Sequence, residues 1–340
     1  IAAAYIPGFI AIFLPFNLFI DYKLYKIKKM SKALVIIKSA GMGDLTILIA
    51  NIHAISKLIE KPVVVLAQKS TQAKAILKYD PHVEKIIELD KKGFFNIIKK
   101  IKTENFNQSY IYSDSLRIYL ISKLSGIKNN YHYKFFSKKN KNFFKTAKEF
   151  TEDIVGKEIN CESKIFCNSD LIEKSKSKFN ISIKTKNIVC GVSASGPTKR
   201  WDVKNYIKLF EKISEKFPCK FFIAAGPKDE DLVYKIKNSS IGKGCISFSR
   251  MSIEETIPII SSCQYYIGND TGWGQISAAL NIKSLFLFCD SPPAAYGLWR
   301  SNISIIVPIG KTIDTCGHNT KGKDNISFDE VYNKTLRMLG

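Results

Sequence analysis

The chain is poor in histidine, in acidic residues and in paired cysteines, and each shortage closes off a class of chemistry. Its four histidines, His53, His82, His132 and His318, are scattered and offer no metal-ligand spacing, so no metal is expected. Its eight cysteines, at 161, 167, 190, 219, 245, 263, 289 and 316, form no C-x-x-C pair. Cys190, Cys219 and Cys289 sit in apolar, strand-like runs, the pattern of buried free thiols in a reducing compartment rather than a disulfide framework. Only 30 Asp and Glu stand against 52 Lys and Arg, a net charge of +22 over 340 residues. No zinc-finger spacing, aromatic–basic recognition motif or basic helix accompanies that charge, so nucleic acid is not expected as a partner. A basic surface beside an anionic membrane surface, one around a phosphate-bearing substrate, and a plain lysine bias all account for it. There is no P-loop and no complete G-x-G-x-x-G, which disfavours an NTP or dinucleotide site.

What is present begins with an apolar run. Ile1 to Ile20 is broken only by Pro7, Gly8, Pro15 and Asn17, and Lys23, Lys26, Lys28 and Lys29 follow. Twenty helical residues span about 30 Å, one bilayer crossing, and the lysines would hold the rest of the chain in the cytoplasm. Residues 1–29 read either as a membrane anchor or as an extension outside the working protein. A secretory signal is disfavoured, because no basic residues precede the run and no small-residue cleavage site follows it.

From Met30 onward, strands and helices alternate. Ala33 to Lys38 is a continuous apolar run, typical of a strand buried on both faces, and Leu45 to Leu58 is helical by period. Strands at 63–67, 83–89 and 109–112 then alternate with helices at 71–77, 94–101 and 115–124. Positions 134–180 read as helical and loop material at a domain junction. The alternation restarts with strands at 188–192, 221–224, 246–248, 265–267 and 284–288, separated by helices at 203–216, 229–237, 253–261 and 274–280. A last helix, 328–338, is expected to pack back across the junction. Length and alternation predict an α/β chain of two Rossmann-like domains, 30–183 and 184–325, with a C-terminal helix at 326–340.

Three turns carry residues suited to chemistry. Tyr265 to Leu280 reads as strand, turn and helix; glycines 268, 272 and 274 allow positive φ and close ligand approach, with Asp270 as N-cap. The opening of that helix suits a phosphate. Lys38-x-x-Gly41-Met42-Gly43-Asp44 sets a carboxylate at a helix N-terminus on the carboxyl edge of the first strand, where, taken alone, an ordinary N-cap is the simpler reading. Ser193 to Trp201 offers small hydroxyls, Lys199, Arg200 and Trp201 as a diphosphate and base cradle, or else a solvated loop anchored by Trp201. Asp229-Glu230-Asp231 matches a D-x-D metal pattern, but first-turn acids of a helix explain it more simply.

Together these stretches resemble glycosyltransferase family 9, the lipopolysaccharide heptosyltransferase family. Its opening signature, a strand then basic-x-x-x-x-Gly-Asp, matches Lys38 to Asp44, and its Lys-x-Trp signature matches Ser193 to Trp201. Its Gly-Asn-Asp-Thr-Gly signature, followed by a helix with Ala-Ala, matches Gly268 to Ala279. The resemblance implies two Rossmann-like domains facing a cleft (GT-B type), with acceptor in the first and nucleotide-sugar donor in the second. It implies inverting, metal-independent transfer of a heptose or related sugar, ADP-linked in the donor, to a lipid-linked glycan at the cytoplasmic face of the inner membrane. Asp44 would be the general base, and Lys199 with the Asp270, Thr271 and Gly272 turn would neutralise the departing diphosphate in place of a metal. Ser195 would touch phosphate, Trp273 and Gln275 would line the donor site, and Lys38 and Gly43 would lie on the acceptor side. Where the family usually has Pro-Met-His this chain has Trp273-Gly274-Gln275, and Gln275 neither carries charge nor relays a proton. Lys38 replaces the commoner Arg and gives up bidentate geometry. An epimerase of the same architecture and a nucleotide-sugar-binding protein without turnover are the alternatives.

Overall fold

The computed structural model describes residues 32–89, 93–135 and 142–340. The expected membrane segment at 1–29 lies outside the described residues. The first sheet holds β1 (Ala33–Ile37), β2 (Val63–Gln68), β3 (Val83–Leu89), β4 (Gln108–Tyr112) and β5 (Asn129–His132), in the order β3-β2-β1-β4-β5. The second holds β6 (Lys186–Gly191), β7 (Cys219–Ile223), β8 (Cys245–Ser247), β9 (Tyr265–Asn269), β10 (Lys283–Leu287) and β11 (Ile303–Ile306), ordered β11-β10-β9-β6-β7-β8. Neighbouring strands pair in parallel throughout. β1 is buried at every position, as its unbroken apolar run requires of a strand covered on both faces. Each order reverses once, between β1 and β4 and between β6 and β9, which opens a crevice at the carboxyl ends of those strands.

Twelve α-helices cover the sheets among the described residues: α1 (Met42–Ile59), α2 (Ala73–Ile76), α3 (Phe94–Lys102), α4 (Leu116–Leu124), α5 (Phe143–Val155), α6 (Ser169–Lys178), α7 (Val203–Ser214), α8 (Glu230–Lys237), α9 (Ile253–Ser261), α10 (Gly272–Ala279), α11 (Pro293–Tyr296) and α12 (Phe328–Leu339). α1 is long and apolar enough to cross a bilayer, but eleven of its residues are buried, which makes it a core helix. It packs against α10, and Val35, Ile37 and Leu45 share one apolar cluster with Val189, Phe222, Trp273 and Ile276. The two halves therefore meet through a common core. On the far side of the first sheet, α3 and α4 close a separate cluster with Ile36, Leu66 and Ile111.

Several expectations need correcting. β5 and β11 add edge strands that the sequence reading omits; β5 is Asn-Asn-Tyr-His, too polar to announce itself as a strand. The helix expected at 71–77 is a 3-10 turn at Lys69–Thr71 followed by the four-residue α2. α12 does not cross the junction. It packs on α7 and β10 of the second domain, burying Val331, Thr335 and Leu339.

Candidate active site

Turns at the carboxyl ends of β1, β6, β7, β9 and β10 converge on one cavity of about 420 Å³ between the domains. Asp44, Gly43, Ser195, Lys199, Asp270, Thr271, Gly272, Trp273 and Gln275 all line it. Lys38 does not: it lines a separate cavity of about 260 Å³ with Gln68, Ser115 and Arg117 in the first domain. A larger cavity of about 700 Å³ adjoins the C-terminal half of α1, with His53 and His82 in its wall. The interdomain cavity is the better candidate because charged and polar groups from both sheets meet there at a topological switch point.

Asp44 stands in the first turn of α1, whose N-cap is Gly41. Its carboxylate folds back on that turn and accepts from the Gly41 N–H. Burial first, and then the Asp270 charge across the cleft, lift the Asp44 carboxyl to about 6 against the opposing Gly41 N–H and Lys199. Such a group is ionised at neutral pH yet basic enough to take a proton.

Asp270 follows β9, and burial raises its carboxyl too, against hydrogen bonds from Ser291 and Gln275 and the charges of Lys199 and His318. Ser291 Oγ donates to Asp270 Oδ2 at 2.8 Å, and Gln275 Nε2 donates to Asp270 Oδ1 at 2.9 Å. Asp270 is thus not the N-cap of α10. Thr271 is, its Oγ1 accepting from Gly274 N. Gln275 also donates to the Tyr296 carbonyl at 2.9 Å and accepts from Trp299 Nε1 at 2.7 Å. Both side-chain atoms of this buried amide are committed to protein.

Asn269 explains why the turns lie together. Its Oδ1 accepts from Trp201 N at 3.0 Å, and its Nδ2 donates to the Val192 and Ser193 carbonyls at 3.1 and 3.3 Å. The turn after β6 is thereby stapled to the end of β9.

The glycines of this stretch serve packing, not positive φ. None of Gly268, Gly272 and Gly274 has positive φ. A Cβ on Gly268 would lie 2.5 Å from the Gly191 backbone, and one on Gly274 would lie 2.9 Å from the rings of Phe286 and Tyr266. One on Gly272 would lie 2.9 Å from Met42 Cβ and 3.3 Å from Gly43 N. The N-termini of α1 and α10 therefore meet almost backbone to backbone, and both leave their first N–H groups without intrahelical acceptors at the cavity.

The β6 turn divides differently from its expected cradle. Trp201 is buried, edge-on to Tyr206 at 5.0 Å and stacked on Phe328 at 6.1 Å, so it is a core anchor and not a base platform. Arg200 is engaged as well, donating to Asp229 Oδ1 at 2.6 Å and to the Ala194 carbonyl at 3.1 Å. Lys199 is left facing the cavity, with Ser195 at its exposed rim. The D-x-D pattern comes apart: Asp229 is buried and pairs with Arg200, whereas Asp231 is exposed and does not line the cavity. Among the described residues no cluster of three or more His, Cys, Asp or Glu is placed to hold a metal ion. The eight cysteines are unpaired, and burial raises the thiols of Cys190, Cys219 and Cys289.

Ser291, Tyr296 and His318 also line the wall, and no motif in the sequence marks them as site residues. They come from irregular segments and the four-residue α11, where no period marks them. Burial, with Asp44 and Asp270 nearby, pushes the Tyr296 phenol up to about 12.

The sequence profile of glycosyltransferase family 9 (heptosyltransferase) matches residues 131–324, more than half of the chain. Lipopolysaccharide heptosyltransferase 1 of Campylobacter coli is 24% identical over 328 residues, covering 87% of this chain and 93% of that protein. The structure of E. coli ADP-heptose LPS heptosyltransferase II superposes with a TM-score of 0.72 at 15% identity, over 91% of this chain and 98% of that one. E. coli heptosyltransferase WaaC with ADP superposes with a TM-score of 0.67 at 12% identity, over 90% and 99%. The two parallel-sheet domains and the cleft between them thus have the GT-B arrangement of these solved structures. The chain belongs to glycosyltransferase family 9, the heptosyltransferase family, and is an enzyme of glycosyl transfer.

Proposed function

We propose that the protein transfers a heptose or related sugar, with inversion and without a metal, from an ADP-linked donor to a lipopolysaccharide-type glycan. The observation that carries this reading is the Asp44 carboxyl, held at about 6 on the first-domain wall and faced by Lys199 and the start of α10. Asp44 takes the acceptor hydroxyl proton as that oxygen attacks the anomeric carbon. The C–O bond to the diphosphate breaks on the opposite face, which inverts the centre. Lys199 and the first N–H groups of α10 receive the developing diphosphate charge, the task a divalent cation performs in other transferases. Asp229, fixed by Arg200 at the second-domain wall, is the carboxylate available to nucleoside hydroxyls. The ADP donor is supported by relatives crystallised with ADP and described as acting on ADP-heptose. The acceptor class follows the lipopolysaccharide heptosyltransferase from Campylobacter coli. With a lipid-linked acceptor, the reading has the enzyme working at the cytoplasmic face of the inner membrane.

The test is transfer by purified protein from ADP-, UDP- and GDP-linked sugars to a lipid-glycan extract, with and without EDTA. Transfer from the ADP donor alone, undiminished by EDTA and giving the inverted anomer, is expected. Retained anomeric configuration, or full activity of Asp44→Asn, would sink the mechanism. ADP at a hundredfold excess over its dissociation constant should stabilise the fold by about 2.7 kcal/mol.

A further inference from the structure

Away from the cleft, α4 presents apolar side chains to solvent. Leu116, Leu120 and Leu124 recur every fourth residue and are 54%, 40% and 56% exposed, while Ile118 and Ile121 of the same helix are buried. Phe95 on the neighbouring α3 is 80% exposed. The two helices run side by side in the same direction. The Arg117 guanidinium lies 5.8 Å from the centre of the Phe94 ring, and Ser125 Oγ donates to the Ile98 carbonyl at 3.4 Å. Their layer covers the side of the first sheet opposite α1, so it looks away from the second domain.

Lysines rim this face. Lys99, Lys100 and Lys102 stand in the last turn of α3, and Lys123 and Lys128 at the end of α4; all are exposed, and none pairs with a carboxylate among the described residues. Three leucines and a phenylalanine among five lysines are ill suited to a protein partner, whose interfaces are depleted in lysine. They match the two attractions that hold a protein on a charged bilayer: apolar side chains at the headgroup boundary and cations against anionic lipid. Helices of a parallel sheet start at the carboxyl edge of its strands, so the stripe begins at the same edge as Asp44. Its first residue, Leu116, adjoins Ser115 and Arg117 of the cavity that holds Lys38.

We propose that Phe95, Leu116, Leu120 and Leu124, with their lysine rim, dock the first domain on an anionic phospholipid bilayer. Docked this way, the acceptor side of the cleft opens beside the lipid surface. The inference deepens the proposed function, whose lipid-linked acceptor gives the docking its use, but the binding does not require transfer.

The test follows hydrogen exchange of the full chain mixed with vesicles of phosphatidylglycerol and phosphatidylethanolamine. Peptides covering 93–102 and 116–124 should gain protection, and should not with vesicles of phosphatidylcholine alone. The triple variant Leu116→Ser, Leu120→Ser, Leu124→Ser should bind the anionic vesicles on the order of tenfold more weakly while still binding ADP. Lys99→Glu, Lys100→Glu, Lys123→Glu should weaken binding on the order of a hundredfold. No vesicle binding, undiminished binding by the leucine variant, or protection confined to residues 1–31 would each overturn the proposal. Vesicle binding through α4 by a protein that transfers no sugar would count against the transferase reading and leave this one standing.

Discussion

Gln275 Nε2 donates to Asp270 Oδ1 at 2.9 Å, so α10 supports from behind a carboxylate whose burial favours its protonated form. The same amide oxygen accepts the indole N–H of Trp299. Gln275→Leu leaves Asp270 Oδ1, the Tyr296 carbonyl and the Trp299 indole N–H without this partner, each orphaned group costing about 1–3 kcal/mol. Urea denaturation should show a lower midpoint with an unchanged slope. An unchanged midpoint would mean that water or another side chain replaces the amide.

The proposed base sets the pH dependence. Asp44 must be ionised to accept a proton, so kcat/KM should rise with pH through about 6 and fall about tenfold per unit below it. Asp44→Asn should reduce the rate by about 10²–10⁴ and abolish that limb.

The same shift carries a stability signature of opposite sense. The folded chain holds the Asp44 proton to about 6, against an ordinary 3.8, so the stabilisation is fully present below about 3.8 and is lost as pH rises through 6. Asp44→Asn should therefore raise the unfolding free energy at pH 8 by up to about 3 kcal/mol and change it little near pH 3.5. Denaturant titrations at the two pH values check this, and a gain of equal size at both would refute it.

Lys199 pulls the Asp44 carboxyl down, and under the proposed mechanism it also meets the leaving diphosphate. Lys199→Met should cut kcat/KM by about 10²–10³ and move the acid limb of the pH profile upward. A purely structural lysine would leave that limb where it was.

Gly272 is required by the approach of α1. In Gly272→Ala the methyl meets Met42 Cβ at 2.9 Å and must push the two helix ends apart. In Gly43→Ala the nearest atom is Gln275 Cγ at 3.1 Å, a milder overlap that needs a shift of only a few tenths of an ångström. Loss of activity should be larger for Gly272→Ala, as measured by kcat/KM at fixed donor.

Much of this was readable from residue order because parallel strands buried on both faces are written as continuous apolar runs. Ala33–Ile37 and Tyr265–Ile267 announced two of the strands, and with them the turns that bear Asp44 and Asp270, while the switch points themselves show only in the strand order. What stayed hidden depends on contacts between distant parts. The Gly-Asn-Asp-Thr-Gly stretch reads as a ligand loop, yet Gly268 is small because Gly191 lies against it, and Asn269 is a staple to the β6 turn. Trp201 looked available for a base, but its neighbours Tyr206 and Phe328 claim it. Lys38 precedes Asp44 by six residues, yet it points into a different cavity.

The apolar cluster joining Val35 and Leu45 to Trp273 and Ile276 bears on any attempt to build hybrids. A donor half grafted from a relative would bring an α10 that has never been fitted to this α1. Exchange at the linker near 180 should give insoluble chimeras unless both helices travel together. The natural unit of recombination in this enzyme is the helix pair, and the visible boundary between its sheets is not the seam along which it can be cut.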